Sequence, residues 1–426
     1  MAHRFNRHTF DEVMVPNYAP GAMIPVRGQG SRVWDQDNRE YIDFAGGIAV
    51  NALGHCHPQL VQALTEQAGQ LWHLSNVWTN EPALELAQQL CDLTFADKVY
   101  FANSGAEANE AALKLARRYA HDMHSASKDQ IISFHNAFHG RTLFTVSVGG
   151  QAKYSEGFGP VPGGITHLPF NDIAALEAAI SDKTCAVIME PIQGEAGILP
   201  ADPAFAQRVR TLCDQHQALL IFDEIQTGVG RTGTLYAYQN LGVTPDILTT
   251  AKALGGGFPI GAMLCTDKIY AAIENGSGFF QHGHTYLGHP VATAAALAVV
   301  RELIDRDLSA RAGEMGQKLQ SALEAALGQH PHIGDIRGRG LFRGIEIVEN
   351  RKTKAPFDPK HGLAGKIKKT AFAEGLICYP MQGTIDGRQG DHVLLAPPFI
   401  IADTQLDELV DKLDTAIQAS LKEIAA

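Results

Sequence analysis

An aspartate and a lysine, each placed directly after an apolar run, are the residues whose types and spacing point most clearly to chemistry. Asp223 ends the run 218–222, and Lys252 follows the apolar pair Ile247-Leu248 and precedes three glycines at 255–257. A buried carboxylate can keep a pyridine nitrogen protonated, and a lysine amine can form a Schiff base with an aldehyde. The pair therefore predicts a pyridoxal 5'-phosphate (PLP) site with Lys252 and Asp223 as catalytic residues. Because Asp and Lys also occupy such positions in unrelated α/β proteins, the surrounding motifs must decide.

A segment of small residues at 103–110 has the composition of an anion-binding turn. It follows an apolar strand and opens a helix, where backbone N–H groups and the helix dipole favour negative charge. Gly105 and Ala106 are predicted to hold a phosphate with their amides, assisted by the side chain of Ser104. A serine N-cap without a ligand is the alternative.

Two further loops after apolar strands carry side chains suited to a substrate. Phe138 could stack on a planar ring, and Arg141 could hold a carboxylate with two parallel hydrogen bonds. Glu195, in the loop 190–197, could pair with a nearby arginine and open or close to admit different substrates. The alternatives are a core Phe138, a surface ion pair of Arg141 and a solvated Glu195.

Two other patterns suggest different chemistry and are weaker. The glycines of 228–233 match the GxGxxG pattern of dinucleotide-binding dehydrogenases, but five residues separate them from the strand and no clear helix follows. His55-Cys56-His57 resembles a metal cluster, yet further ligands at zinc spacing are missing, so no metal is predicted.

Composition narrows the class of protein. A length of 426 residues indicates two or three domains, and 45% hydrophobic with 19% charged residues is typical of a globular enzyme. A net charge of −11 argues against a nucleic-acid partner. No apolar run reaches membrane-spanning length, the first residues lack the apolar core of a secretory signal, and the six cysteines are scattered. We therefore expect a cytoplasmic protein without a membrane partner or disulfides.

Apolar periodicity predicts the elements that must position these residues. Strands are predicted at 98–102, 130–134, 185–189, 218–222 and 259–265, with helices at 106–119, 173–180 and 203–215 between them. Near-continuous apolar strands alternating with helices indicate an α/β fold with a mostly parallel sheet. The first forty residues look irregular apart from one hairpin at 31–44. We expect an N-terminal segment (1–57) that is part of a small domain, a large cofactor-binding domain (58–290) and a C-terminal small domain (291–426).

Taken together, the motifs NSGAEANE, FHGR, EPIQGEAG, FDEIQTGVGRTG and TTAKALGGGFPIGA resemble the class-III (subgroup II, ornithine-type) aminotransferases along nearly the whole chain. The resemblance implies PLP fold type I, with a seven-stranded sheet in the large domain and a smaller α+β domain. It assigns Lys252 to the cofactor aldehyde, Asp223 to the pyridine nitrogen and Gln226 to the ring hydroxyl. It also implies that Thr285 reaches the phosphate of a neighbouring subunit, which makes the protein a homodimer with shared sites.

The resemblance also implies a ping-pong reaction between an amine donor and a keto acid. The donor displaces Lys252 from the cofactor, and the freed amine then moves a proton between the substrate and cofactor carbons. The ordinary lysine pKa of about 10.4 must fall for this role, and burial beside a cationic ring lowers it. Decarboxylases and aminomutases share the fold, and Glu195 together with the full motif set argues against them. A structural protein without cofactor would have no reason to keep Lys252, Asp223 and Gln226.

The likeness divides along the chain. Up to about residue 269 the chain is similar to acetylornithine/succinylornithine aminotransferases, whereas 284–290 and 391–399 are similar to ω-amine:pyruvate transaminases. Acetylornithine-type enzymes place an arginine where this chain has Leu394, and its loss should weaken dicarboxylate binding by roughly a few kcal/mol. Arg388 could replace it from a loop, or be an ordinary solvated charge, and Trp78 could narrow the substrate channel. An acetylornithine:2-oxoglutarate ω-aminotransferase is favoured, with an amine:pyruvate or GABA-type transaminase as the alternative.

Overall fold

The computed structural model describes residues 5–425. Its strands are β1 (Pro25–Gln29), β2 (Arg32–Asp35), β3 (Glu40–Asp43), β4 (Lys98–Ala102), β5 (Gln130–Phe134), β6 (Ile165–Leu168), β7 (Thr184–Met189), β8 (Ile192–Gln193), β9 (Leu199–Pro200), β10 (Leu219–Asp223), β11 (Ile247–Thr250), β12 (Gly261–Cys265), β13 (Ile333–Arg339), β14 (Phe342–Ile347), β15 (Leu376–Ile377), β16 (Tyr379–Gln382) and β17 (Asp391–Leu395).

Its α-helices are α1 (Arg7–Val13), α2 (Gly46–Ala49), α3 (Pro58–Ala68), α4 (Glu81–Leu93), α5 (Gly105–Met123), α6 (Leu143–Val148), α7 (Ile173–Ala179), α8 (Pro203–His216), α9 (Tyr238–Leu241), α10 (Asp267–Gly276), α11 (Pro290–Asp305), α12 (Leu308–Leu327), α13 (Leu363–Ala373) and α14 (Asp403–Ala425). Single 3-10 turns lie at Ala152–Tyr154, Lys252–Gly255 and Pro359–His361.

A seven-stranded sheet in the order β4-β12-β11-β10-β7-β5-β6 forms the centre of the chain. Neighbouring strands from β11 to β6 are parallel, and β12 runs antiparallel to both β11 and β4. Every residue of β7, β10 and β11 is buried, as expected for strands covered by helices on both faces. The predicted α/β fold with a mostly parallel sheet is confirmed.

The register of the two central strands brings the two key residues together. Asp223 pairs with Thr249 in the parallel ladder of β10 and β11, and Lys252 begins the 3-10 turn just beyond β11. Asp223 is thus the last residue of β10 and Lys252 lies just past β11, so both are at the carboxyl ends of adjacent strands, where open α/β sheets place their ligands.

Two smaller sheets combine distant parts of the chain. In one, the N-terminal strands β1, β2 and β3 are joined by β15, which runs parallel to β3. In the other, the order is β13-β14-β17-β16 and all neighbours are antiparallel. The division of the chain at residues 57 and 290 stays a prediction.

The sequence predicted most of its central elements within one or two residues, but it missed strand β6, helix α10 and two elements near the N-terminus. The strands at 98–102 and 130–134 have the predicted bounds, whereas β10 extends to Asp223 because that residue still pairs with Thr249. Helix α1 and strand β1 lie in the segment expected to be irregular. Asn6 starts α1 with a capping box, in which its side chain and that of Thr9 bond each other's backbone N–H. Within residues 5–425, no helix combines the length and the apolar character needed to cross a membrane.

Candidate active site

A cavity of about 410 Å³ opens at the carboxyl edge of the central sheet. Most of the residues that the motifs singled out contribute to its lining: Ser104, Gly105, Ala106, Phe138, Arg141, Asp223, Gln226 and Lys252. Loops after β4, β5, β10 and β11 therefore converge on one space, which we call the central cavity.

Asp223 is held by a buried hydrogen-bonding network. Its carboxylate accepts a bond of 2.7 Å from Asn109 Nδ2, and His139 Nδ1 lies 2.8 Å from the same oxygen. The backbone N–H of Ile225 donates to the other oxygen at 3.1 Å, and Thr249 Oγ1 donates to Asn109 Oδ1 at 2.7 Å. A carboxylate bonded in this way keeps one orientation. It can stabilise a cation that is placed against it in the cavity.

Lys252 provides a half-buried amine in the same cavity. Burial lowers the pKa of its ammonium group to about 8, although Glu195, Asp223 and Glu190 act in the opposite direction. Its backbone φ of 43° lies in the left-handed region, which non-glycine residues rarely adopt. An amine with this pKa is readily deprotonated near neutral pH, so that it can act as a nucleophile or a base.

The N-terminus of α5 faces the cavity through Gly105 and Ala106. Ser104 is the N-cap, and its side chain accepts a bond from the backbone N–H of Glu107. A Cβ at Gly105 would lie 2.7 Å from the Ile225 side chain, so a larger residue would not fit there without a shift. The first N–H groups of a helix have no partner in a preceding turn and attract anions. The predicted cradle for a phosphate is sterically possible here, and Ser104 also has the capping role that was the alternative.

Gln226 and Phe138 complete a space suited to a planar, polar ring. Gln226 is 8% exposed, and neither its Nε2 nor its Oε1 makes a hydrogen bond of good geometry within the described residues, although its amide lies close enough to Glu195 to act on that carboxyl group. Buried polar atoms of this kind normally have a partner, so a ligand hydroxyl would satisfy the amide. Phe138 lines the cavity, and its backbone N–H donates to Glu190 Oε2 at 3.2 Å. A pyridine ring with a hydroxyl, an aldehyde and a phosphate fits the donors and acceptors present.

Arg141 lies among aromatic rings on the outer side of the cavity. Its guanidinium carbon is 5.3 Å from the ring centre of Tyr18 and 4.5 Å from that of Tyr154. The Tyr154 ring in turn packs edge-on against Phe138, with centroids 5.7 Å apart. Arg141 is exposed and forms no ion pair with another described residue, in contrast to the surface ion pair that was its alternative. Its guanidinium contacts Tyr18 and Tyr154 but has no carboxylate partner among the described residues, so it can bind an incoming carboxylate.

Glu195 lies deep in the structure instead of on a solvated loop. It is 8% exposed, and burial raises the pKa of its carboxyl group although Lys252, Lys153 and Arg141 oppose the change. No arginine forms an ion pair with it within residues 5–425. Leu394 lies fully buried in an apolar cluster with Ile192, Ile198 and Phe342. This position therefore supplies no charge for Glu195 or for a substrate.

Three predicted residues lie outside the central cavity of their own chain. Trp78 is 71% exposed and lines a separate depression, Thr285 is exposed, and Arg388 is exposed in the loop between β16 and β17. The backbone of that loop contacts the segment just before Phe138, because Asn136 Nδ2 donates to Ile385 O at 2.9 Å. Within one chain, none of the three side chains reaches the cavity, and the placement of Arg388 gives no support to its substituting for an arginine at 394.

Sequence reasoning assigned no role to several residues that surround the site. Asn109 and His139 stand inside quoted motifs, and their alternation with small residues gave no sign that both would point at Asp223. Tyr18 lies in the segment taken as irregular, and Tyr154 lies in a short turn, so neither has a periodic pattern that could have revealed it.

The two weaker patterns have structural explanations. The segment 228–233 is an irregular turn in which Arg231 is fully buried and donates from Nη1 to the carbonyls of Leu341 (3.1 Å) and Pro397 (2.5 Å). It thus connects the central sheet to the C-terminal part of the chain. His55 pairs with Asp43 at 2.9 Å, and no group of three or more metal-ligating side chains is found in the part of the chain that the structure describes.

Comparison with known proteins identifies the family. The class-III aminotransferase profile matches residues 13–417. Acetylornithine aminotransferase of Vibrio parahaemolyticus is 55% identical over 414 residues, which are 97% of this chain and 98% of the relative. Succinylornithine transaminase/acetylornithine aminotransferase of Pseudomonas aeruginosa is 52% identical over 96% of both chains.

Solved structures show the same fold. A transaminase from the marine bacterium Virgibacillus superposes with a TM-score of 0.93 at 27% identity, covering 98% of this chain and 99% of the other. An (S)-enantioselective ω-transaminase from Thermomicrobium roseum gives 0.88 at 30% identity, covering 99% and 96%. Together with the converging loops of the central cavity, these matches show that the chain belongs to the class-III aminotransferase family, is a transaminase and has the type I fold of PLP enzymes.

Proposed function

We propose that the central cavity binds PLP and that this chain transfers an ω-amino group to a keto acid. The observation that carries the proposal is the placement of Asp223 and Lys252 in one cavity at one sheet edge, beside the N-terminus of α5. The carboxylate, the amine of low pKa and the anion-binding helix end match the three polar parts of this cofactor.

When bound, PLP supplies an aldehyde that condenses with amines and a ring that withdraws electrons from the substrate carbon. Asp223 would hold a proton on the ring nitrogen, and Asn109 and His139 keep its carboxylate in position. Gln226 would bind the ring hydroxyl, and Phe138 would cover the ring. Lys252 Nζ is the only lysine amine lining the cavity in the described chain, so it is the group that moves the proton in each half-reaction.

The substrate assignment rests on the relatives. Proteins 51–55% identical to this chain over nearly their full length are named acetylornithine aminotransferases. We propose N-acetylornithine as the amine donor and 2-oxoglutarate as the acceptor, with Arg141 binding a carboxylate of either.

A second candidate has a specific observation in its favour. Leu394 lies in an apolar cluster with no charge, as expected for an ω-amine:pyruvate or GABA-type transaminase that binds one carboxylate fewer. Decarboxylases and aminomutases of the same fold are more remote candidates, because the matching family and the named relatives are aminotransferases.

A half-reaction titration separates the two candidates. N-acetylornithine and then 1-phenylethylamine would be added to PLP-loaded protein while the absorbance of the lysine-bound cofactor is followed. Conversion by N-acetylornithine supports the first candidate, and conversion by 1-phenylethylamine alone supports the second. If neither amine changes the spectrum although Lys252→Ala abolishes it, the cofactor site stands and both proposed donors are wrong.

We also propose that the chain acts in the cytoplasm as a homodimer with shared sites. Thr285 and Trp78 are exposed on one surface, where Asn76 Nδ2 donates to His284 O at 2.8 Å. Side chains that miss their own cavity can contribute to that of a second copy. Light scattering of the purified protein would give the mass of one chain if this proposal is wrong.

A further inference from the structure

Two cations contact one aromatic ring beside the central cavity without forming an ion pair with any described residue. Arg141 Cζ is 4.5 Å and Lys153 Nζ is 5.0 Å from the ring centre of Tyr154. Because both cationic groups lie within 5.0 Å of the same ring centre, the two positive charges are close to each other. Within residues 5–425, neither forms an ion pair with an acidic side chain. Like charges held close together repel, and a bound anion would relieve that repulsion.

Lys153 has a defined position relative to the cavity although its side chain is exposed. It lies in the 3-10 turn that follows Gln151, a residue only 5% exposed. Gln151 Nε2 donates to the carbonyls of Asn136 (3.1 Å) and Ala137 (3.4 Å), directly before Phe138. The turn that carries Lys153 is thus fixed to the loop that carries Phe138, the residue expected to cover the cofactor ring.

The charges that face Lys153 also favour an external anion. Partial loss of hydration lowers the pKa of its ammonium group, Arg141 lowers it further, and Glu195 opposes both. Glu195 is itself buried with a raised pKa, so its negative charge is poorly stabilised and compensates the two cations only in part. A substrate carboxylate could bind to these cations with charge-assisted hydrogen bonds.

We propose that Lys153 is a second carboxylate-binding residue that works with Arg141 and selects a dicarboxylic 2-oxo acid over a monocarboxylic one. The inference rests on the proposed function, because it deepens the assignment of the acceptor in the same cavity. A short dicarboxylate can place one carboxylate on the Arg141 guanidinium and the other on the Lys153 ammonium. Pyruvate has only one carboxylate and gains nothing from Lys153.

Calorimetric titration of the PLP-loaded protein with glutarate and with butyrate tests the proposal without turnover. Glutarate has two carboxylates and butyrate has one, and neither carries a keto or amino group that could react. In Lys153→Met, we expect glutarate affinity to fall about tenfold, the loss typical of one charge-assisted hydrogen bond. Butyrate affinity should stay the same, and Lys153→Arg should retain glutarate binding.

Lys352→Met is the matched control, because it removes an exposed lysine from a distant turn and changes the net charge equally. It should bind both acids as the unaltered protein does. In steady-state assays, Lys153→Met should raise the KM for 2-oxoglutarate, with kcat and the KM for pyruvate little changed. Equal glutarate binding by Lys153→Met and the unaltered protein would overturn the proposal, as would an equal loss of butyrate binding. Failure of the unaltered protein to accept an amine from any donor would instead count against the proposed function, because the glutarate titration reads Lys153 independently.

Discussion

The two sides of the central cavity are built in different ways. On the inner side, the buried wall consists of Asn109, His139, Asp223, Thr249 and Lys252, and the first four are joined by hydrogen bonds of 2.7–2.8 Å. On the outer side, the entrance cluster consists of Tyr18, Arg141, Lys153 and Tyr154, and the buried Glu195 lies near its two cations. There, the two cations contact aromatic rings and form no ion pair within residues 5–425.

The fold holds the side chains of the buried wall in one arrangement, whereas the side chains of the entrance cluster can adapt to different substrates. Each polar atom of the buried wall is costly to displace, because an unsatisfied buried group loses about 1–3 kcal/mol. The cations of the entrance cluster form no ion pair with other described residues and can therefore bind substrate carboxylates. Substitutions in the buried wall should therefore impair the reaction with every substrate, whereas those in the entrance cluster should change which substrate is preferred.

Lys252→Ala should have the largest effect, because it removes the only lysine amine that lines the cavity in the described chain. We expect amine transfer to fall by roughly 10²–10⁴-fold, the contribution of a positioned acid–base group, with loss of the lysine-bound cofactor absorbance. Lys268→Ala, on the exposed start of α10, is the control. Retention of the spectrum in Lys252→Ala would show that another amine binds the cofactor.

Asp223→Asn should lower kcat by about 10²-fold for every amine donor, because a neutral amide cannot stabilise a cation at the ring nitrogen. The substitution conserves size and keeps an acceptor for Asn109 Nδ2. A loss confined to one donor class would contradict the contrast between the buried wall and the entrance cluster.

The rate at which the apoprotein captures PLP should depend on the protonation of Lys252. Burial lowers the pKa of its ammonium group to about 8, so the reactive neutral amine increases by about tenfold per pH unit below 8 and levels off above it. Stopped-flow absorbance across pH 8 measures this midpoint. Free lysine, with a side-chain pKa of about 10.4, is the reference, and a midpoint near that value would mean that Lys252 is not desolvated.

Glu195→Gln should modestly shift the pH midpoint of PLP capture and should also change substrate preference. Glu195 is the largest of the charges that raise the pKa of Lys252, so its removal should move the capture midpoint to lower pH. We expect a few-fold change in the ratio of kcat/KM for N-acetylornithine and 1-phenylethylamine, equivalent to about 1 kcal/mol. An unchanged midpoint would place Glu195 too far from Lys252 to influence it.

Trp78→Phe should have the smallest effect, because Trp78 is 71% exposed and lies outside the cavity of its own chain. Stability should change by about 0.5 kcal/mol at most, as for most surface positions. If a second copy brings Trp78 to the substrate channel, the KM for a bulky amine should fall a few-fold while that for a small amine stays constant. Equal values for both amines would remove Trp78 from the substrate-binding residues.

Local sequence predicted the structure best where an apolar strand is followed directly by small, polar or functional residues. The strands 98–102 and 130–134 were predicted with the observed bounds, since their apolar runs stop at small or polar turn residues. Helix α1 was missed because it has no buried residue and hence no apolar periodicity. The convergence of Asp223 and Lys252 was predicted because each follows an apolar run and the two side chains together fit the chemistry of one cofactor.

The amino-acid sequence by itself determined the α/β fold, the family and the residues with the chemistry of a PLP site. These depend on strand patterns and on motifs of a few adjacent residues. Tertiary structure decided that Asn109 and His139 fix Asp223, that Glu195 is buried without an arginine, and that Lys153 shares the Tyr154 ring with Arg141. These contacts join residues of separate loops, and their distances follow from strand order and packing instead of from spacing along the chain.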